Sequence, residues 1–115
     1  MSEIKELIEK IIKFRDERDW EQFHKPKDLA ISLSLESAEL LEHFQWKNES
    51  EIENYIKDSK EEIAEELADV LYWVLLMSNE LDIDIVASFN RKMLKNQKKY
   101  PVSKAKGNHK KYDEL

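Results

Sequence analysis

The sequence predicts an all-α fold, an antiparallel helical bundle of four main helices completed by oligomerisation. Three observations carry this. Apolar residues recur at helical spacing along the 115 residues. There is one Gly (Gly107) and there are two Pro (Pro26 and Pro101), so the turn chemistry of β-hairpins is nearly absent. Hydrophobic residues make up 41% and charged residues 38%, which suits thin amphipathic helices better than a thick α/β core. So short a chain builds a modest core alone, and association enlarges it.

The first helix is expected from about Ser2 to Arg18. Ser2 is a capping residue, and Ile4, Leu7, Ile8, Ile11, Ile12 and Phe14/Arg15 follow at helical spacing. Asp19 to Lys27 breaks the period, and Pro26 disfavours helix at Lys25. This stretch reads as an ordered loop carrying Trp20, Phe23 and His24. A second helix is expected after the cap Asp28, reaching about Trp46. A weaker helical segment covers Ser50 to Lys57. Ser59 and Glu62 then have the spacing of a capping box, which opens a third helix to about Leu81. Asp84 caps a fourth helix to about Lys98, and Tyr100-Pro101 ends it. Residues 1–101 thus read as one helical domain. Residues 102–115 read as a basic tail, mobile or packed on a neighbouring subunit.

The formal net charge is −6, unlike the basic face of a nucleic-acid binder. It leaves a nucleotide substrate open, because bound metal ions invert the local charge. The absence of cysteine excludes disulfides, zinc-thiolate sites and thiol nucleophiles. No apolar run approaches a membrane span, and the charged start does not read as a signal peptide. A cytoplasmic protein without membrane or nucleic-acid partners is expected.

The strongest local signal is a conflict between charge and hydrophobic pattern. In the second helix Glu36 lies between Leu33 and Leu40 on one apolar stripe, and Glu39 follows at i+3. In the third, Glu66 lies on the stripe of Ile63, Val70, Trp73 and Met77, and Asp69 follows at i+3. An unpaired buried carboxylate costs several kcal/mol, and a like charge beside it adds to the cost. Neither helix places Lys or Arg near these acids. A hard divalent cation such as Mg²⁺ resolves the conflict, with Mn²⁺ as a substitute. On pattern alone, a solvated helix face also remains open. Glu42, Glu61, Glu62 and Glu65 fit that second reading. A di-iron bundle is excluded, because Glu21-x-x-His24 lies in the loop before Pro26 and has no second copy.

The pairs Glu36-x-x-Glu39 and Glu66-x-x-Asp69 together resemble the metal motif of the MazG-like, all-α nucleoside triphosphate pyrophosphohydrolases. The resemblance is closest to the dCTP pyrophosphatase branch. Glu17 to Pro26, Phe44-Gln-Trp-Lys47, Glu65 to Val70 and the terminal Lys-Tyr-x-Glu-Leu look like that branch's signatures. The resemblance runs from about Phe14 to the end. It implies a homo-oligomer, a tetramer or dimer of dimers. It implies Mg²⁺ held by Glu36, Glu39, Glu66 and Asp69, which are also the catalytic set. It places Trp20, His24 and Trp46 around the nucleobase and Lys92, Asn96 and Tyr100 on the triphosphate. Three positions depart from the pattern. Ile11 replaces a base-pocket His of vertebrate members, Trp73 replaces a Tyr, and Leu35 stands where many relatives carry another Glu.

The implied reaction is hydrolysis of a nucleoside triphosphate, dCTP or a modified dCTP, to the monophosphate and pyrophosphate. Its implied role is clearing the nucleotide pool. Glu39 is the choice for the acid that also orients or deprotonates the attacking water. Lys92 and Asn96 are four apart on one helical face, whereas Lys95, Lys98 and Lys99 read as solvated. Trp46 suits base stacking; Phe23, Tyr72 and Trp73 suit packing, one of the latter two against a neighbouring subunit. His24 fits a loop hydrogen bond as well as a ligand contact. His43 and His109 read as solvent-facing. The competing readings are a helical scaffold and a nucleotide-sensing regulator that does not turn over.

Overall fold

The computed structural model describes residues 2–115. All regular structure among them is helical: α1 (Glu3–Glu17), α2 (Pro26–Glu42), α3 (Glu49–Glu80), α4 (Ile85–Lys99) and the short α5 (Val102–Ala105), with 3-10 turns at Glu21–Phe23 and Tyr112–Glu114. The chain forms two compact units, one ending at Asp82 and one spanning Ile83–Leu115. No helix among the described residues is long and apolar enough to cross a membrane.

Local chemistry explains each boundary. The Ser2 side chain accepts a hydrogen bond from the Lys5 N–H at 3.2 Å. Glu3 and Glu6 in the first turn, and Arg15 in the last, oppose the α1 dipole. A Schellman stop ends the helix. The Trp20 N–H donates to the Arg15 carbonyl at 3.1 Å and the Asp19 N–H to the Asp16 carbonyl at 3.1 Å. Asp19 takes φ 54°, and Asp82 takes φ 55° after α3. With no glycine available, Asp is among the few residues that enter this region at tolerable cost.

Pro26 occupies the first turn of α2, where its missing N–H costs nothing and its fixed φ suits the helix. The second helix therefore starts at Pro26, with Lys25 extended before it, rather than after Asp28. It ends at Glu42, earlier than Trp46, and a tight turn follows. Asn48 and Glu51 form the capping box of α3. Ser59, expected to start a helix, has non-helical backbone (φ −123°, ψ 26°) and marks the kink at which two helical segments join within α3. No Gly or Pro separates the segments, so the second follows the first directly. The Asp84 side chain caps α4 by accepting from the Ala87 N–H at 3.1 Å.

In the first unit, α2 and α3 form an antiparallel hairpin. His24 meets Trp73 near one end, Glu36 meets Glu66 in the middle, and His43 meets Tyr55 near the turn. α1 packs on α3 through Phe14 against Tyr72 and through Arg15 against Glu80. The core is small, with Leu29, Leu75 and Leu76 as its fully buried large side chains. Arg15 is also buried, and its charge is matched by Asp16 at 3.0 Å, Glu21 at 3.5 Å and a close contact to Glu80. Those pairings satisfy a charge that would otherwise be costly to bury. They also tie the end of α1, the loop after it and the end of α3 to one another.

In the second unit, α4 leads into the residues from Pro101 onward. Tyr100 meets Tyr112 edge-on at 6.3 Å, and the Lys99 ammonium lies 4.8 Å from the Tyr112 ring centroid. The tail from Val102 thus belongs to the same unit as α4.

Candidate functional site

The middle of the α2–α3 hairpin carries the site. Leu29, Leu33, Glu36 and Leu40 lie along the inward stripe of α2, and Ile63, Glu66, Val70 and Trp73 along that of α3. Glu36 and Glu66 are therefore drawn inward by their apolar neighbours and meet across the interface. Oε2 of Glu36 and Oε1 of Glu66 are buried without a hydrogen-bond partner. Glu39, more exposed, joins them: one carboxylate oxygen from each of Glu36, Glu39 and Glu66 lies within 4.8 Å of the others. Asp69 falls outside this closest triad, but its charge acts on Glu36.

Electrostatics register the crowding. The Glu36 carboxyl is raised from 4.5 to about 7. The first cause is the hydrogen bond with the Glu66 carboxyl that becomes available when Glu36 is protonated; burial and the negative charges of Glu39, Glu66 and Asp69 add to it. Two acids facing one another over buried, unpartnered oxygens need a proton or a cation between them.

The donor set fits a hard divalent ion. Carboxylate oxygens are its preferred ligands. Glu36, Glu39 and Glu66 would hold the ion, with Asp69 within reach of the same cluster's field.

Two cavities flank the acids. The first, about 470 Å³, is walled by Lys10, Ile11, Phe14, Trp20, Tyr72 and Trp73, with Glu36 and Asp69 at its acidic side. Its aromatic rings meet edge to face: Phe14 with Trp20 at 5.7 Å, Phe14 with Tyr72 at 6.2 Å and Tyr72 with Trp73 at 5.0 Å. Arg18 stacks over Phe14, its guanidinium carbon 3.8 Å from the ring centroid. The second cavity, about 400 Å³, is walled by Glu39, Glu42, His43, Tyr55 and Glu66.

Trp20 thus comes to the acids, placed there by the Schellman stop at Asp19. His24 lines neither cavity beside the acids. It packs edge-on against Trp73 at 5.6 Å, and its Nδ1 is buried without a partner. Burial first, then the Arg15 charge, lowers its pKa, with Asp28 opposing. Trp46 is 85% exposed in the turn after α2 and lines neither cavity. Lys92, Asn96 and Tyr100 belong to the second unit. There Lys92 is exposed, Asn96 and Tyr100 are half-buried, and the Tyr100 N–H donates to the Asn96 carbonyl at 2.9 Å.

Other placements depart from the sequence reading. His43 is half-buried rather than solvent-facing, hydrogen-bonded through Nδ1 to the Tyr55 hydroxyl and packed on Phe44. Its partner comes from α3, so α2 alone carries no sign of it. Glu42 is exposed as expected, yet it walls the second cavity. Lys10, Phe14, Tyr72 and Trp73 join the first cavity without having been singled out as site residues. Lys10 and Phe14 share a helical face at i,i+4, which is the one signal the sequence offered.

Fold and site together define an all-α protein with two acidic pairs facing across a helical hairpin. A sequence model of the MazG-like family matches residues 31–115, and the chain belongs to that family. Over 104 residues it is 39% identical to dCTP pyrophosphatase 1 of Rattus norvegicus and 36% identical to dCTP pyrophosphatase 1 of Homo sapiens. Each alignment covers 89% of this chain and 61% of the relative, so the chain spans about three-fifths of the length of these relatives. Its structure matches the crystal structure of a pyrophosphatase from Archaeoglobus fulgidus with a TM-score of 0.82. The sequences are 41% identical there, over 88% of this chain and 94% of that one.

Proposed function

We propose that the chain hydrolyses a nucleoside triphosphate, dCTP or a modified dCTP, to the monophosphate and pyrophosphate in the presence of Mg²⁺. The observation that carries this reading is the facing of Glu36 and Glu66, with an unpartnered carboxylate oxygen buried on each and Glu39 beside them. The named relatives support the substrate class.

When bound, Mg²⁺ lowers the pKa of water and neutralises phosphate charge. The chain's residues do the rest. Glu36, Glu39 and Glu66 would hold the ion, with Asp69 as the proposed fourth ligand. Glu39, the exposed member of the triad, has the access to orient a water and take its proton. Trp20 and its aromatic neighbours stack the base and keep water from that face. Stacking of this kind is worth about 1–3 kcal/mol per base. Lys92, Asn96 and Tyr100 are proposed as triphosphate contacts, supported by the resemblance and by the shared face of Lys92 and Asn96. His24 is proposed to act through Trp73, and Trp46 to reach the base only in an assembled oligomer. Exposed Leu67 and Leu71 on α3 support self-association.

The test is a panel of canonical and modified nucleoside triphosphates, with and without Mg²⁺, read by pyrophosphate release. Pyrophosphate from dCTP that requires Mg²⁺ is the expected result. Orthophosphate release, or no product from any member of the panel, overturns the reading.

A further inference from the structure

The first cavity contains a residue that the proposed chemistry has not used. Lys10 lies on α1 one turn before Phe14, so both project from the same face. Among the residues lining the cavity it is the one cation, and it shares that space with Glu36 and Asp69. Among the described residues, neither acid forms a salt bridge with it. An exposed ammonium that lines the cavity without a salt bridge to either acid retains its hydrogen-bonding capacity for an incoming molecule. Its neighbour Ile11 offers no polar atom.

The cavity is divided by chemistry. Glu36 and Asp69 supply the acidic side, suited to a cation and the phosphates it carries. Phe14, Trp20, Tyr72 and Trp73 supply aromatic surface suited to a planar base. Lys10 lines the same cavity, on the helix that carries Phe14. Lysine has three donors and no acceptor, so it recognises acceptor atoms alone. Cytosine offers adjacent acceptors at N3 and O2. Thymine and uracil carry N3–H, a donor, at the corresponding position.

We propose that Lys10 is a specificity-determining residue that donates a hydrogen bond to the N3/O2 edge of a cytosine base held among the aromatic side chains of the first cavity. The proposal rests on the triphosphate reading above and names the group that selects the base. Removing the ammonium removes a donor to the base and leaves the acid cluster intact.

Lys10→Met keeps the stem's apolar length and removes the charge; Lys10→Gln keeps a donor. Both are compared with the unaltered chain on dCTP, dTTP and dATP, with kcat and KM measured separately. In Lys10→Met the KM for dCTP is expected to rise about tenfold, the order of one lost hydrogen bond from a charged group at a partly exposed site. Little change is expected in kcat or in the KM for dTTP, and Lys10→Gln should recover part of the loss. An equal rise in KM for all three substrates would assign Lys10 to the phosphates and overturn the proposal, as would no change for dCTP. Binding of deoxycytidine, followed by Trp fluorescence, separates the two readings. If no triphosphate is hydrolysed yet Lys10→Met weakens deoxycytidine binding about tenfold, the hydrolase reading fails and the Lys10 contact stands. Equal deoxycytidine affinity in both proteins overturns the contact whatever the hydrolysis result.

Discussion

Glu36 on α2 faces Glu66 on α3 across the hairpin, and each buries a carboxylate oxygen that no donor in the protein satisfies. Leucines flank Glu36 one turn away on either side, and Ile63 and Val70 flank Glu66 in the same way. The helices cannot turn these acids to solvent without also exposing the apolar residues that join α2 to α3. The pair is held in place by the packing around it, and its repulsion is relieved by a proton or by a cation.

Stability should therefore depend on pH in an unusual direction. With the Glu36 carboxyl raised from 4.5 to about 7, the native chain binds a proton between these values that the unfolded chain has lost. Stability is thus greatest below that window and falls as pH rises through it. Thermal melts without divalent ions, from pH 5 to pH 8, should show the melting temperature falling across the interval. A melting temperature that climbs over the same interval would mean that the two acids do not share a burial site.

Leu76 is fully buried on α3, close in sequence to Trp73. Leu76→Ala removes packing from a core with few members and should cost about 2–5 kcal/mol. Urea unfolding should show the loss as a lower midpoint with an unchanged slope. Because Leu76 lines neither cavity, the variant's turnover at temperatures where it stays folded should match that of the unaltered chain. A cost below about 1 kcal/mol would show that the hairpin draws its stability from elsewhere.

Much of the site was legible in the sequence because it breaks a rule. Glu36 and Glu66 interrupt apolar stripes, and the period of those stripes fixes which way the side chains point. Glu39 followed from its i+3 spacing. The residues that escaped notice obey local rules and gain their roles from distant partners. Lys10 looks like any lysine on an amphipathic helix until α1 is laid against α3. His43 looks solvated until Tyr55 arrives from the next helix. Ser59 carries a capping signature, and the backbone leaves helical geometry there, at the kink that joins the two segments of α3. The helix ends near Arg18 and Leu81 were legible, but the left-handed residues Asp19 and Asp82 that follow them were not. Asp enters the left-handed region without the signal that a glycine gives.

The central claim is that the acids of the hairpin form a divalent-cation site. It is tested most directly by melting the unaltered chain and the Glu36→Gln/Glu66→Gln double variant at pH 8, with and without Mg²⁺. The unaltered chain should gain stability with rising Mg²⁺ as binding to the native state predicts. The double variant should be at least as stable without the ion and should not respond to it. If Mg²⁺ stabilises both proteins equally, or neither, the acids do not hold the ion.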